Sequence, residues 1–343
     1  MTEMTNYTII VDGNAVTNNF APFLISLSIS LSDGGESDSL SIELDDAHGS
    51  LRLPREGADI SVTLAWSSGG KAISFDGKVD EIESHGSRSA GITLSITARS
   101  VDFKGLPKQK LLAHRDDATF GEVATSWAKK AGLEAKVDSA LANIRRSYWL
   151  ISNESFLAWG ERMARELGAT FKVFGAKAVF VSRNSGSSTS GKALSGVTAT
   201  YGENLIDWSL SPVRNRPRYS QSVVGYYDPK KAKHLTKKVA IGDNGAQVDL
   251  IDRRRAADSN IAQQRASSNS EEAKRDKGGG SVTIDGEPAA QPQTLLTLSG
   301  ARPGIDGVYR ITGVTHTYSR HGGWTTACQV EQPQGKVGDD DRK

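Results

Sequence analysis

Hydrophobic and polar positions alternate through most of the first hundred residues. From Phe23 to Leu31, Ile25, Leu27, Ile29 and Leu31 take turns with Ser26, Ser28 and Ser30. That period of two belongs to a strand with one buried and one wet face. The pattern returns at Leu40, Ile42 and Leu44 after a Gly34-Gly35 turn, and again at Ile60, Val62, Leu64 and Trp66. It continues from Ile73 to Ile82 after Ser67-Ser68-Gly69-Gly70, and at Ile92, Leu94 and Ile96. A succession of short strands at this spacing predicts an antiparallel barrel or sandwich.

The period then changes. Thr119-Phe-Gly-Glu122 is a capping-box pattern, followed by Val123, Trp127 and Ala131 and stopped at Gly132. A second helix is predicted from about Asn153 to Leu167, with Phe156, Gly160, Met163 and Leu167 on one stripe and Gly168 as its stop. Residues 171–181 read as a hairpin turning near Gly175-Ala176, and residues 184–196 as a glycine/serine linker. Strands resume at Leu205–Leu210 and Tyr219–Tyr227, and return at Ser281–Asp285, Gln293–Leu298, Val308–Tyr318 and Trp324–Glu331.

Between them, residues 253–277 are helical in composition but nearly polar all round. Such a helix cannot hold itself to a core by burial, so it is either a lightly attached arm or a surface for another subunit. Gly278-Gly279-Gly280 ends it as a hinge. The predicted fold class is mainly β with an α+β insertion. Two antiparallel β-barrel-like domains, 1–105 and 191–335, are separated by a small α+β domain at 106–190, and 336–343 form a flexible tail. The hairpin from Phe75 to Thr97 is echoed by that from Gly307 to Val330, in pattern more than identity. It is either a duplication or a chance likeness of two hairpins.

Composition sharpens this only in places. The 343 residues include 35 glycines, in keeping with many turns, and one cysteine, Cys328, which excludes an internal disulfide framework and a cysteine zinc site. No apolar run is long enough to span a membrane and no secretory leader opens the chain, so a soluble protein made in a reducing cytoplasm is expected. The net charge of +2 is unevenly spread. Residues 1–106 carry 7 basic and 15 acidic side chains, and residues 210–277 carry 15 and 8. An acidic front and a basic back suit contacts with copies of the chain or with partners; two solvated surfaces explain them equally well.

Candidate chemistry is thin. Residues 186–193 match a phosphate-binding loop until alanine stands where Ser or Thr should hold Mg²⁺, and they sit in a linker before a strand. The six histidines lack metal-site spacing, and Cys328 lies in an apolar strand. Asp45-Asp46 and Glu81/Glu83 read as solvated carboxylates rather than an acid–base pair. Basic residues from Arg214 to Lys238, interleaved with Tyr219, Tyr226 and Tyr227, suit either phosphate contact or a protein face. No catalytic, metal or cofactor site is expected.

Three stretches, taken in order, carry a resemblance. They are the serine-alternating strands with Leu53–Val62 and Phe75–Ile82; the helix Ser152-Asn-Glu-Ser155-Phe-Leu157 through Arg162-Met-Ala164-Arg-Glu-Leu-Gly168; and Gly304–His316 with Gly322-Gly-Trp324. Together they resemble the late-control protein D type baseplate hub of contractile-tailed phages, a relative of the hub portion of VgrG spikes. The resemblance implies a non-enzymatic homotrimer in the virion baseplate, assembled in the host cytoplasm. Two barrel-like domains per chain would make a six-part ring joining a sixfold tail tube protein to a threefold central spike protein around a DNA channel. On this reading Glu43, Asp45, Glu81 and Glu83 are candidate channel-facing acids. Arg253, Arg254, Arg255, Gln263, Arg265 and Lys274 are candidate subunit or partner contacts, and neither a cofactor nor membrane insertion is implied. The rival is a carbohydrate-binding or adhesin module, for which Trp149 and Trp159 are the candidate stacking residues.

Overall fold

The computed structural model describes residues 4–34, 37–88, 91–100, 105–183, 194–212, 219–242, 246–334 and 337–338. The chain begins with β1 (Thr5–Val11), β2 (Asn14–Ala15), a single turn α1 (Thr17–Phe20), β3 (Leu24–Ser32), β4 (Ser39–Asp45), β5 (Asp59–Trp66), β6 (Ala72–Ser87) and β7 (Gly91–Arg99). Next come β8 (Lys110–Thr119), α2 (Phe120–Lys130), β9 (Glu134–Val137), α3 (Ser139–Ala142), β10 (Arg145–Ser155), α4 (Phe156–Leu167), β11 (Ala169–Phe174) and β12 (Lys177–Ser182). The last part holds β13 (Val197–Thr200), β14 (Leu205–Ser211), β15 (Tyr219–Asp228), β16 (Lys233–Ala240), β17 (Val248–Ile251), α5 (Ser259–Arg275), β18 (Gly279–Asp285), β19 (Leu295–Ser299), β20 (Gly307–Ser319) and β21 (Gly323–Gln334).

The fold is mainly β with an α+β insertion, as the periodicity predicts. The two β regions, however, share one 13-stranded sheet, ordered β14-β18-β21-β20-β3-β4-β7-β6-β5-β1-β2, with β13 and β19 attached. The seam is β20 lying antiparallel on β3, from Gly313 opposite Ser32 to Ser319 opposite Ser26. On one side of the seam the buried face is built of Leu27, Ile42, Val62, Leu94 and Ile96. On the other it is built of Val282, Ile284, Leu296, Ile311 and Val330. A third core, led by Phe120, Trp127, Trp149, Trp159 and Phe180, fills the α+β insertion. There the capping box forms in full, Thr119 N donating to the Glu122 carboxylate at 2.8 Å.

The echo between hairpins extends to a five-strand plan. β3-β4-β5-β6-β7 and β14-β18-β19-β20-β21 follow the same chain order and the same antiparallel pairings. Both hairpins turn between a serine and a glycine four residues apart, Ser87 to Gly91 and Ser319 to Gly323. Register shifts fall at matching places: Leu24/Ser26 with Leu205/Asp207, and Val79/Glu81 with Ile311/Gly313. Loop hydrogen bonds match too: Asp45 N to Phe23 O and Asp285 N to Asn204 O, Val79 N to Ala58 O and Ile311 N to Thr294 O. A bulge re-aims a strand and is a positioned feature of a fold, so its repetition at equivalent sites marks a duplicated frame.

Several expectations need correction. Ile25 does not continue the buried stripe: the bulge after Leu24 turns it outward, 37% exposed. The helix expected from Asn153 begins at Phe156, because β10 runs on to Ser155, whose hydroxyl caps it. The polar helix expected over 253–277 is Ser259–Arg275, capped by Asp258, so Arg253, Arg254 and Arg255 lie before it. It is also not a loose arm. Ala262 and Ala266 are fully buried with Val224 and Tyr226, since small side chains let the helix approach β15 closely. Ser268 Oγ donates to the Arg165 carbonyl at 2.7 Å and Ser270 Oγ to the Ala240 carbonyl at 3.0 Å. Nor is the glycine triplet a hinge. Gly279 and Gly280 belong to β18, and a side chain at Gly280 would collide with the Ser209 carbonyl.

Candidate functional site

The face of the long sheet turned away from the cores is lined with hydroxyls. Ser319, Ser26, Glu43, Ser95 and Glu83 form one row across β20, β3, β4, β7 and β6. Thr317, Ser28, Ser41, Thr97 and Glu81 form the next. Ser28 and Thr317 share a hydrogen bond of 3.0 Å across the seam, and Ser30 and Thr315 one of 3.1 Å. All four acids singled out from the sequence are exposed on this face: Glu43 and Asp45 on β4, Glu81 and Glu83 on β6. Beyond the seam the face continues through Thr325, Thr283 and Ser209. Its cations are balanced: Arg99 pairs with Asp80 at 2.9 Å and Lys78 with Asp59 at 2.7 Å. The surface is hydrated and weakly acidic, with few groups that grip phosphate.

The proposed contact residues near α5 divide. Arg253, Arg254 and Gln263 are exposed, and Arg255 reaches the His234 ring at 3.2 Å. Arg265 instead turns inward, 3.6 Å from Glu166 and 3.8 Å from Asp252, and its guanidinium donates to the Arg254 carbonyl. Lys274 pairs with Glu271 at 2.7 Å. Glu166 is a hub of charge, accepting from Arg146 at 3.1 Å and lying 3.8 Å from Arg162, which itself holds Glu154. Burial pushes the Arg146 guanidinium below its ordinary pKa, with the Glu166 carboxylate acting against that fall. The cluster ties α4, β10 and α5 together, so it is internal cement rather than a docking patch.

Groups with reactive potential are occupied structurally. His316 is fully buried, bonded to Thr326 Oγ1 at 3.1 Å and to the Ala290 carbonyl at 3.3 Å, and burial lowers its pKa to about 4. Burial drives the Cys328 thiol up to about 12, far from a thiolate nucleophile. Asp46 is buried apart from Asp45 and accepts from the Ser50 and Leu51 amides. Among the described residues no three His, Cys, Asp or Glu side chains converge as a metal site. Trp149 and Trp159 are both buried in the α+β core, which removes the stacking residues required by a carbohydrate-binding module. The phosphate-loop match and the basic run Arg214–Arg218 lie outside the described residues.

The strand edges carry one short sequence signal. A Ser-Arg-x-x-Gly turn occurs twice, at Ser87–Gly91 and Ser319–Gly323, and marks where equivalent strands offer an edge.

A family model described as phage tail baseplate hub (GPD) matches residues 37–322. A probable baseplate hub protein of Escherichia phage 186 is 33% identical over 226 residues, covering 66% of this chain and 57% of the relative. That of Escherichia phage P2 is 34% identical over 197 residues, covering 57% of this chain and 50% of the relative. The matches thus span little more than half the length of these relatives. Among solved structures, the 43 kDa tail protein of prophage MuSo2 from Shewanella oneidensis is 16% identical with a TM-score of 0.70, covering 98% of this chain and all of that one. The tail protein of Neisseria meningitidis MC58 is 14% identical, also with a TM-score of 0.70, over 98% of both chains. An Escherichia coli type VI secretion component gives a TM-score of 0.55 at 11% identity, over 93% of this chain and 76% of that one. At such identities these neighbours speak for the fold alone.

Proposed function

The chain belongs to the phage tail baseplate hub family, and on that footing we propose that it is a structural, non-enzymatic hub of the virion baseplate. Three copies form a ring that joins a sixfold tail tube to a threefold central spike around a DNA channel. The observation that carries this reading is the duplicated five-strand frame. Two equivalent units per chain turn a trimer into a six-part ring, which is the match a threefold spike needs to meet a sixfold tube. β3, β4, β7 and β6 with β14, β18, β21 and β20 give eight strands per chain, hence 24 around the ring. At about 4.8 Å per strand, taken along the ring axis, the backbone diameter is about 37 Å. The hydroxyl face with its acids supports a lumen role. Water covers it, Glu43, Asp45, Glu81 and Glu83 repel phosphate, and the nearby cations are already paired, so DNA finds little to hold it.

Solution mass combined with negative-stain microscopy tests the proposal. The expected particle is a ring of about 110 kDa, three times the 36.7 kDa of the chain. A chain that stays monomeric at every concentration and in the presence of tail tube protein overturns it. A ring whose lumen lacks the four acids removes the channel role.

A further inference from the structure

The seam inside the chain shows how one unit grips another. β20 adds to β3 in antiparallel register, Ser319 opposite Ser26, Thr317 opposite Ser28 and Thr315 opposite Ser30. Arg320 then locks the end of the seam. Its guanidinium donates to the Ala21 carbonyl at 2.8 Å and the Pro22 carbonyl at 2.6 Å, and its main-chain N–H reaches the Ile25 carbonyl.

Each part of that grip has a counterpart elsewhere in the frame, on an edge that no described strand covers. In the duplicated frame β14 stands for β3, and among the described strands it is the terminal one of the sheet. Residues 80–87 of β6 stand for 312–319 of β20, and no described strand pairs with their second edge, because β5 stops at the level of Lys78. Arg88 stands for Arg320 and is exposed. Ile206 stands for Ile25 and is likewise turned outward at its bulge, 49% exposed. An open edge invites another strand, and edges that repeat a working joint already have the right shape for one.

We propose that β14 of one copy adds antiparallel to the 80–87 half of β6 in the next copy, repeating the internal seam. Carrying the register across the frame sets Asp207 opposite Ser87, Ser209 opposite His85 and Ser211 opposite Glu83. Arg88 then closes on the main-chain carbonyls of Gly202 and Glu203, and its N–H on that of Ile206. No like charges meet. On the other face Trp208 falls opposite Gly86, where the internal seam has Leu27 opposite Tyr318, so the bulk that both partners share in the seam comes here from one side. The exposed Ile92 beside Gly86 offers Trp208 an apolar floor. Each copy carries both edges, so the contact is head-to-tail and propagates until the rotation closes it. The joint deepens the ring reading and rests on it.

Paired cysteines test the register. The two edges lie at opposite ends of an eight-strand stretch of the sheet. A disulfide needs Cα atoms within about 7 Å, so any bond between them joins two copies. The single native cysteine is buried. Under mild oxidation, Ser87→Cys with Asp207→Cys should give covalent dimers and trimers and nothing larger. Ser87→Cys with Ser211→Cys, out of register, should give at least ten-fold less. Gly86→Trp is the folding control, because a Cβ there meets Ile92 Cγ1 at 3.6 Å and the Gly91 carbonyl at 4.0 Å, both ordinary contacts. It should leave the monomer's melting unchanged and abolish assembly. A ring of trimer mass that never cross-links, that cross-links equally out of register, or that tolerates Gly86→Trp overturns the joint and spares the ring. A chain monomeric under all conditions overturns both.

Discussion

The two β units share a frame but not a load. In the first, residues 33–38 carry the chain from β3 straight to β4; in the second, residues 212–278 between β14 and β18 hold the whole β15–β17 sheet and α5. Strand order, two of the bulges and two loop hydrogen bonds are nevertheless the same on both sides. Side chains at equivalent positions differ freely, exposed Ser84 against buried His316, Leu40 against Gly280, Ile96 against Cys328. The lesson is that backbone pairing fixes this frame while side chains specialise each copy. The second unit's additions must then hold by their own contacts, leaving the frame undisturbed.

The sharpest way to break that comparison is to cut what anchors the addition. Glu166→Gln leaves Arg146, Arg162 and Arg265 around a neutral amide, with the Arg146 side chain only 7% exposed. Removing one partner of a buried ion cluster costs about 3–5 kcal/mol. Thermal unfolding should fall accordingly, and hydrogen exchange should rise first in α5 and β15–β17 while β3–β7 stay protected. Equal loss of protection in both units would show that the addition is part of the frame.

Acid separates the units next. With a folded pKa of about 4 against 6.5 for an ordinary histidine, His316 stays neutral in the fold while the unfolded chain takes up a proton. Stability from this group is complete above pH 6.5 and is lost as pH falls toward 4, by up to about 3 kcal/mol. The equivalent position in the first unit is Ser84, so the loss should centre on β18–β21. His316→Gln, measured by urea denaturation between pH 4 and 7, should flatten that slope. An unchanged slope would assign the acid loss to other groups.

Much of the frame was legible in the sequence because β3, β4, β5 and β7 bury one face and wet the other, leaving a period of two. The capping box at Thr119 and the stop at Gly168 were legible for similarly local reasons. Strands β8, β10, β16 and β17 were not. In β16 only Leu235 and Val239 face the α5 cluster, so lysines dominate its pattern. The attachment of α5 was hidden because it uses alanines and serine hydroxyls, which no hydrophobic stripe announces. The four acids could be set on one face from alternation alone. The seam between β3 and β20 could not, since it joins residues far apart in sequence whose only local signal is a repeated Ser-Arg-x-x-Gly turn.

The smallest effect tests the duplication at a single torsion. Gly57 and Gln293 occupy equivalent loop positions, donating to the Val79 and Ile311 carbonyls, with φ of 75° and 74°. Glycine adopts that left-handed conformation freely, whereas glutamine is strained in it. A side chain at Gly57 meets nothing within 4 Å, so Gly57→Gln isolates the backbone term. It should cost about 1 kcal/mol and leave the β5–β6 register intact. Amide exchange at Val79, whose N–H donates to Ala58, reads the register directly. A cost several times larger, or lost protection at Val79, would mean that the first unit depends on glycine for more than its torsion. The match with Gln293 would then be one of shape without shared energetics.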